Sequence, residues 1–135
     1  EHKQATKKMD VYKLPSTLIL HLKRFKTSRV HSIGSFYFSG GSSKITTLID
    51  FPIEGLDLTR YTLGKYEEPP IYDLFAITNH YGSLGGGHYT AYAKNPLKNK
   101  WYDFNDSSVS VQDPSELVSS AGYLLFYKRR ETEKQ

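Results

Sequence analysis

Along residues 17–25, TLILHLKRF, apolar and polar positions alternate, with Leu18, Leu20 and Leu22 on one side and Ile19, His21 and Lys23 on the other. A period of two predicts a half-buried strand, and Pro15 marks its start. VHSIGSFYFSGGSSKITTLIDFP (30–52) reads as two strands around SGGSS, with a turn at Gly40–Gly41 and a stop at Pro52. EGLDLTRYTLGKYEEPP (54–70) has turn residues but no period, and reads as a connecting excursion closed by Pro69–Pro70. Beyond it the pattern sharpens into four strands: IYDLFAITNHYG, GHYTAYAKN, KWYDFND and AGYLLFYKR. Between the last two, DPSELVSS predicts one short helix, with Asp113 as N-cap, Pro114 in the first turn and Glu116 at capping-box spacing. Most connections are too short for a crossover helix, so the predicted sheet is mainly antiparallel.

Composition narrows the class. The 135 residues amount to one domain or part of a larger one. Eleven Tyr and seven Phe supply large apolar material for a core, which argues against disorder over most of the chain. There is no Cys, so disulfides, Cys-ligated zinc and a Cys nucleophile are all excluded from these residues. No apolar run reaches the ~18 residues of a membrane helix, and no membrane partner is expected. The net charge is +4 and the pI near 9.2. Its densest basic runs, at Lys7–Lys8 and in KRRETEKQ, sit near the ends among acids. They read as solvated termini and not as a nucleic-acid footprint, although a protein partner remains open.

The candidate chemistry lies in HYGSLGGGHYTAYAKN (80–95). Strands 87–95 and 100–105, joined by PLKNK, predict a hairpin with His88 at the start of one strand and Asn105–Asp106 at the end of the other. The two ends are neighbours in space, so an imidazole comes within reach of an amide and a carboxylate. An oxygen accepting from Nδ1–H would fix the tautomer and leave Nε2 as general base. That is two thirds of a nucleophilic triad, with a Ser or Cys missing opposite. Gly85, Gly86 and Gly87 would leave bare backbone for an extended substrate. Each feature also has a plain structural reading: a turn for the glycines, a strand-edge histidine, a turn at Asn-Asp.

GGGHYTAYAKN, then KWYDFNDSSVS, then AGYLLFYKR resemble the histidine box of the ubiquitin-specific proteases, cysteine-type deubiquitinases with a papain-like core of fingers, palm and thumb. LPSTLILHLKRF and KITTLIDFPIEGLDL resemble the segments before that box. EHKQATKKMDVYKLP is similar to the stretch after the second Cys pair of the family's zinc ribbon. The resemblance covers nearly the whole chain and implies an α+β, mostly antiparallel fold. It gives His88 the place of the general base and Asn105 that of its orienter, with Asp106 as the adjacent supporting acid. Gly86 and Gly87 match the loop over the ubiquitin tail; Tyr89 and Tyr123 match rings lining its channel. The Gly-Gly end of that tail would explain the narrowness.

The family's cysteine box and zinc-binding Cys pairs are not in this sequence. Either residues 1–135 are the C-terminal fingers-and-palm portion of a catalytic domain, or the protein is a ubiquitin-binding pseudoenzyme. A start at EHKQ, just past an expected Cys pair, points to the first. The chain alone should then be inactive, with a hydrophobic face awaiting the thumb. The resemblance implies ubiquitin and ubiquitinated proteins as partners, no nucleic acid, no cofactor for the chemistry and a possible structural zinc bound outside these residues. It also implies a cytoplasmic or nuclear location. HSIGSFYFSGGSSK looks longer than the family's matching segment, either as a tolerated insertion or, through Phe36, Tyr37 and Phe38, as added contact area.

Overall fold

The computed structural model describes residues 4–27, 32–33, 36–37 and 42–131. One antiparallel sheet dominates. Its strands are β1 (Thr17–His21), β6 (Leu56–Asp57), β7 (Ile71–Ser83), β8 (Gly86–Asn95), β9 (Lys100–Asn105), β10 (Ser108–Gln112) and β11 (Gly122–Arg129). They run in the order β1-β11-β7-β8-β9-β10, with β6 paired to β7. Two small ladders stand apart: β2 (Phe25–Thr27) with β5 (Ser42–Lys44), and β3 (Ser32–Ile33) with β4 (Phe36–Tyr37).

One face of the sheet carries the core: Leu14, Phe51, Tyr72, Leu74, Ile77, Trp101, Leu117, Leu125 and Tyr127. The long strand β7 reaches it in two phases. Tyr72 and Leu74 are buried, then Ile77 and Asn79. The shift coincides with an irregularity opposite Phe126/Tyr127, where one extra residue turns the following side chains to the other face. Buried tyrosines need a partner for the hydroxyl. Tyr72 donates to the Pro15 carbonyl at 2.5 Å and Tyr127 to that of Pro52 at 2.7 Å. Burial pushes the Tyr127 hydroxyl up to about 12.

The strand predicted over 17–25 exists with its predicted faces, but ends at His21 and resumes at Phe25. Arg24 makes the break. Its buried guanidinium donates from Nε to the Gly122 carbonyl at 2.6 Å, and from Nη1 to those of Ile45 and Thr47 at 3.0 and 2.8 Å. A side chain that closes three backbone acceptors holds its segment inward and out of the ladder. The second strand predicted within 30–52 is shorter than expected: β5 pairs with β2, and residues 45–50 form no strand. The turn at Gly40–Gly41 lies outside the described residues. At 113–116 the predicted helix is a single 3₁₀ turn, Pro114–Glu116. Asp113 does cap it, accepting from the Ser115 N–H at 2.8 Å. The Glu116 carboxylate meets Gln112 Nε2 at 3.5 Å, so the capping box is not closed. The sequence reading missed β10, whose SVSVQ follows directly on a turn.

Candidate functional site

Three tight hairpin turns present the candidate residues. Ser83 pairs with Gly86 across Leu84–Gly85, closing β7 onto β8. Asn95 Oδ1 accepts from the N–H groups of Leu97 and Lys98, both at 3.0 Å, and shapes the link to β9. Asn105 pairs with Ser108 across Asp106–Ser107, closing β9 onto β10. Asp106 stands there at φ 50, a left-handed conformation that Asp tolerates better than most side chains.

His88 and Asn105 meet as the hairpin predicts, with His88 Nε2 2.7 Å from Asn105 Oδ1. The register explains the encounter. Ala91 lies opposite Phe104, so continuing the ladder puts Thr90 opposite Asn105 and His88 on the same face, one diagonal away. The nitrogen differs from the sequence expectation. Nδ1–H was assigned to the orienting oxygen, but the ring turns Nε2 toward it. An amide oxygen only accepts, so Nε2 carries the hydrogen and Nδ1 keeps the lone pair. A spacing argument brings the two residues together but does not choose the ring edge. Asp106 is next in the chain but stands at the turn tip; among the described residues no ion pair joins it to His88.

Tyr89 points to the opposite face of β8 and enters an aromatic group. Its ring centroid is 4.7 Å from that of His80, its partner on β7, and 6.3 Å from that of Tyr123. Tyr123 sits at a register irregularity of β11 and takes His21 edge-on at 4.8 Å. Phe25 meets the His80 ring edge-on at 5.2 Å and Tyr123 at 5.8 Å. Lys44 Nζ donates to the His80 carbonyl at 2.5 Å. Burial, then the charge of Lys44, lowers the His80 imidazole below its ordinary range. Burial, then Arg24, lowers Lys44. The structure therefore joins Tyr89 to Tyr123 as the sequence reading expects, and adds Phe25, Lys44 and His80. Placing the two-residue turn at Leu84–Gly85 would have paired His80 with Tyr89 from sequence alone. Nothing local pointed to Lys44.

The glycines divide. Among the described residues, a Cβ at Gly85 or Gly86 would meet nothing within 4 Å. At Gly87 it would land on the His80 ring and 2.5 Å from the Tyr81 carbonyl oxygen. Gly82, at φ 90, would bring a Cβ to 2.7 Å from the Gly86 carbonyl oxygen. Gly82 and Gly87 are thus required by the chain itself, whereas Gly85 and Gly86 leave open space.

The family model described as UCH, ubiquitin carboxyl-terminal hydrolase, matches residues 2–127. Ubiquitin carboxyl-terminal hydrolase 9 of Arabidopsis thaliana is 50% identical over 137 residues, covering 100% of this chain and 14% of that protein. Ubiquitin carboxyl-terminal hydrolase 15 of Homo sapiens is 48% identical over 132 residues, covering 98% and 12%. The chain thus spans a small fraction of the length of these relatives. Among solved structures, the SAGA Ubp8/Sgf11/Sus1/Sgf73 DUB module bound to ubiquitin aldehyde is similar with a TM-score of 0.76 and 33% identity, over 92% of this chain and 26% of that one. A SAGA DUB module bound to monoubiquitin matches with a TM-score of 0.74 and 35% identity, over 92% and 25%. The order of motifs, the mostly antiparallel fold and these matches agree, and the chain belongs to the ubiquitin carboxyl-terminal hydrolase family.

Proposed function

We propose that this chain is the C-terminal fingers-and-palm portion of a ubiquitin-specific protease catalytic domain, supplying the general base and the channel for the ubiquitin tail. The reading rests above all on His88, whose Nε2 is tied to Asn105 at 2.7 Å while Nδ1 meets no partner among the described residues. In this scheme Nδ1 takes the proton of a Cys thiol supplied from outside these residues. The thiolate attacks the carbonyl carbon of the ubiquitin C-terminal Gly. Nδ1–H then protonates the leaving amine, and a thioester remains. Water, deprotonated by Nδ1, attacks the thioester; ubiquitin leaves as a carboxylate and the thiol is restored. Asn105 holds the ring throughout, and Asp106 adds a carboxylate field near the imidazolium. Gly86 leaves the tail's path bare beside the backbone of Gly87, and Tyr89 and Tyr123 wall it.

The sheet's outer face supports a partner for this chain. Cross-strand pairing sets Ile19, Phe126, Ala76, Ala93, Tyr102 and Val111 in one row across six strands, and Ile19 and Val111 are exposed. An apolar row of this length needs cover; the thumb would provide it, and the chain without it would be inactive. Among the described residues no three His, Cys, Asp or Glu side chains converge on a metal position; the family resemblance puts a structural zinc outside these residues. No helix among the described residues is long and apolar enough to cross a membrane; a cytoplasmic or nuclear location follows the family resemblance.

The test is hydrolysis of a ubiquitin C-terminal fluorogenic amide by the protein with its native upstream sequence, beside its His88→Ala variant. Turnover that disappears in the variant supports the reading. Ubiquitin binding without turnover in either protein would instead make the chain a docking module.

A further inference from the structure

We infer that His80 is a positioning residue for His88, acting through the backbone of Gly87; this rests on the general-base reading above. The His80 ring is 3% exposed. Phe25, Tyr89 and Tyr123 enclose it, at centroid distances of 5.2, 4.7 and 6.0 Å. Its backbone is pinned from two sides: the N–H donates to the Ala121 carbonyl at 2.9 Å, and the carbonyl accepts from Lys44 Nζ. The ring is therefore a fixed object, and β8 begins against it.

Nε2 faces Gly87. A Cβ on that residue would overlap Nε2 and come within 2.9 Å of Cε1. The gap holds an α-hydrogen and nothing larger. Burial among these rings and the nearby charge of Lys44 favour the neutral ring over the imidazolium. The surroundings agree: Lys44 from β5 and Arg24 behind it are positive, Phe25 and the two tyrosines are uncharged, and His21 lies beyond Tyr123. Among the described residues Nδ1 is buried without a partner, so enclosure by the rings, and not a hydrogen bond, holds it in place.

The consequence falls on the next residue. His88 follows three glycines that offer no side chain to anchor the start of β8. The contact from His80 sets how deep Gly87 sits, and through it where the His88 imidazole stands relative to a nucleophile from the rest of the domain. Small displacements of a reacting group cost rate more than affinity.

The experiment uses the full-length protein with a ubiquitin C-terminal fluorogenic amide, comparing wild type, His80→Ala, His80→Gln and His88→Ala, each checked for folding by thermal melting. His80→Ala should lower kcat about 10-fold or more while KM stays within about 3-fold. His80→Gln, which can return an acceptor to the Nε2 position, should recover part of that loss. In 15N-histidine-labelled wild type, the His80 ring should stay neutral from pH 8 down to 6. An unchanged kcat in His80→Ala, a change confined to KM, a Gln variant no better than Ala, or an imidazolium at His80 by pH 6 would each overturn the inference. Turnover surviving in His88→Ala would instead sink the general-base reading beneath it.

Discussion

His88 and Asn105 are 17 residues apart in the chain, yet their side chains meet at 2.7 Å because one hairpin carries both at its open end. The contact leaves Nδ1, and not Nε2, as the free nitrogen. An uncharged amide fixes the tautomer but adds no charge to stabilise an imidazolium. His88→Ala should therefore cost on the order of 10³-fold or more in kcat/KM of the complete enzyme, and Asn105→Ala distinctly less. Steady-state kinetics of the two variants decide it: equal losses would exclude any sharing of the role by Asp106.

The glycine run should separate by position. Gly87→Ala forces the His80 ring and the Tyr81 carbonyl apart and should lower the melting temperature by several degrees. A Cβ in Gly85→Ala or Gly86→Ala meets nothing within 4 Å among the described residues, so both should leave it nearly unchanged. If Gly86 borders the ubiquitin tail, Gly86→Ala should raise KM without loss of stability. Thermal melts beside KM values would show whether these two effects part company.

Arg24 should be among the most costly residues to lose. Its guanidinium joins Gly122 on β11 to Ile45 and Thr47, and its removal strands three backbone acceptors. Arg24→Ala should destabilise by several kcal/mol, at about 1–3 kcal/mol for each buried acceptor left unpaired. Arg24→Lys should recover little, since an ammonium cannot span the same fork. Denaturant unfolding of the full-length protein would measure both.

Asp73 predicts an acid-sensitive contact. Arg130 donates Nε and Nη2 to its two oxygens at 2.7 and 2.8 Å, and the Gly55 N–H adds a bond at 2.9 Å. Arg130 first, then Gly55, holds the carboxyl below its ordinary value. A depressed pKa in the folded state stabilises fully above the unfolded value near ~4, and the benefit is lost as pH falls through the folded value. Asp73→Asn should thus lower the melting temperature at pH 7, with the gap to wild type closing below about pH 4. A gap that stayed constant down to pH 2.5 would contradict this.

Much of this protein was legible without coordinates, because its strongest signals are local. The alternation of Leu18 and Leu20 against Ile19 and His21 set both faces of β1, and short Gly- and Asn-rich links fixed an antiparallel sheet. Asp113 and Pro114 announced a capped turn. The hairpin from Gly87 to Asn105 put His88 beside its partner, since pairing between adjacent strands follows from loop length alone. What the tertiary structure decided depends on contacts between distant segments. Arg24 reaches Gly122, 98 residues on, and breaks a strand that its own pattern would continue. Lys44 comes to the His80 carbonyl from a separate ladder. The ring edge that His88 offers to Asn105, and the reason Gly87 has no side chain, were likewise settled in three dimensions. Periodicity reports which side of a strand a residue occupies; it does not report which atoms of two remote side chains compete for one space.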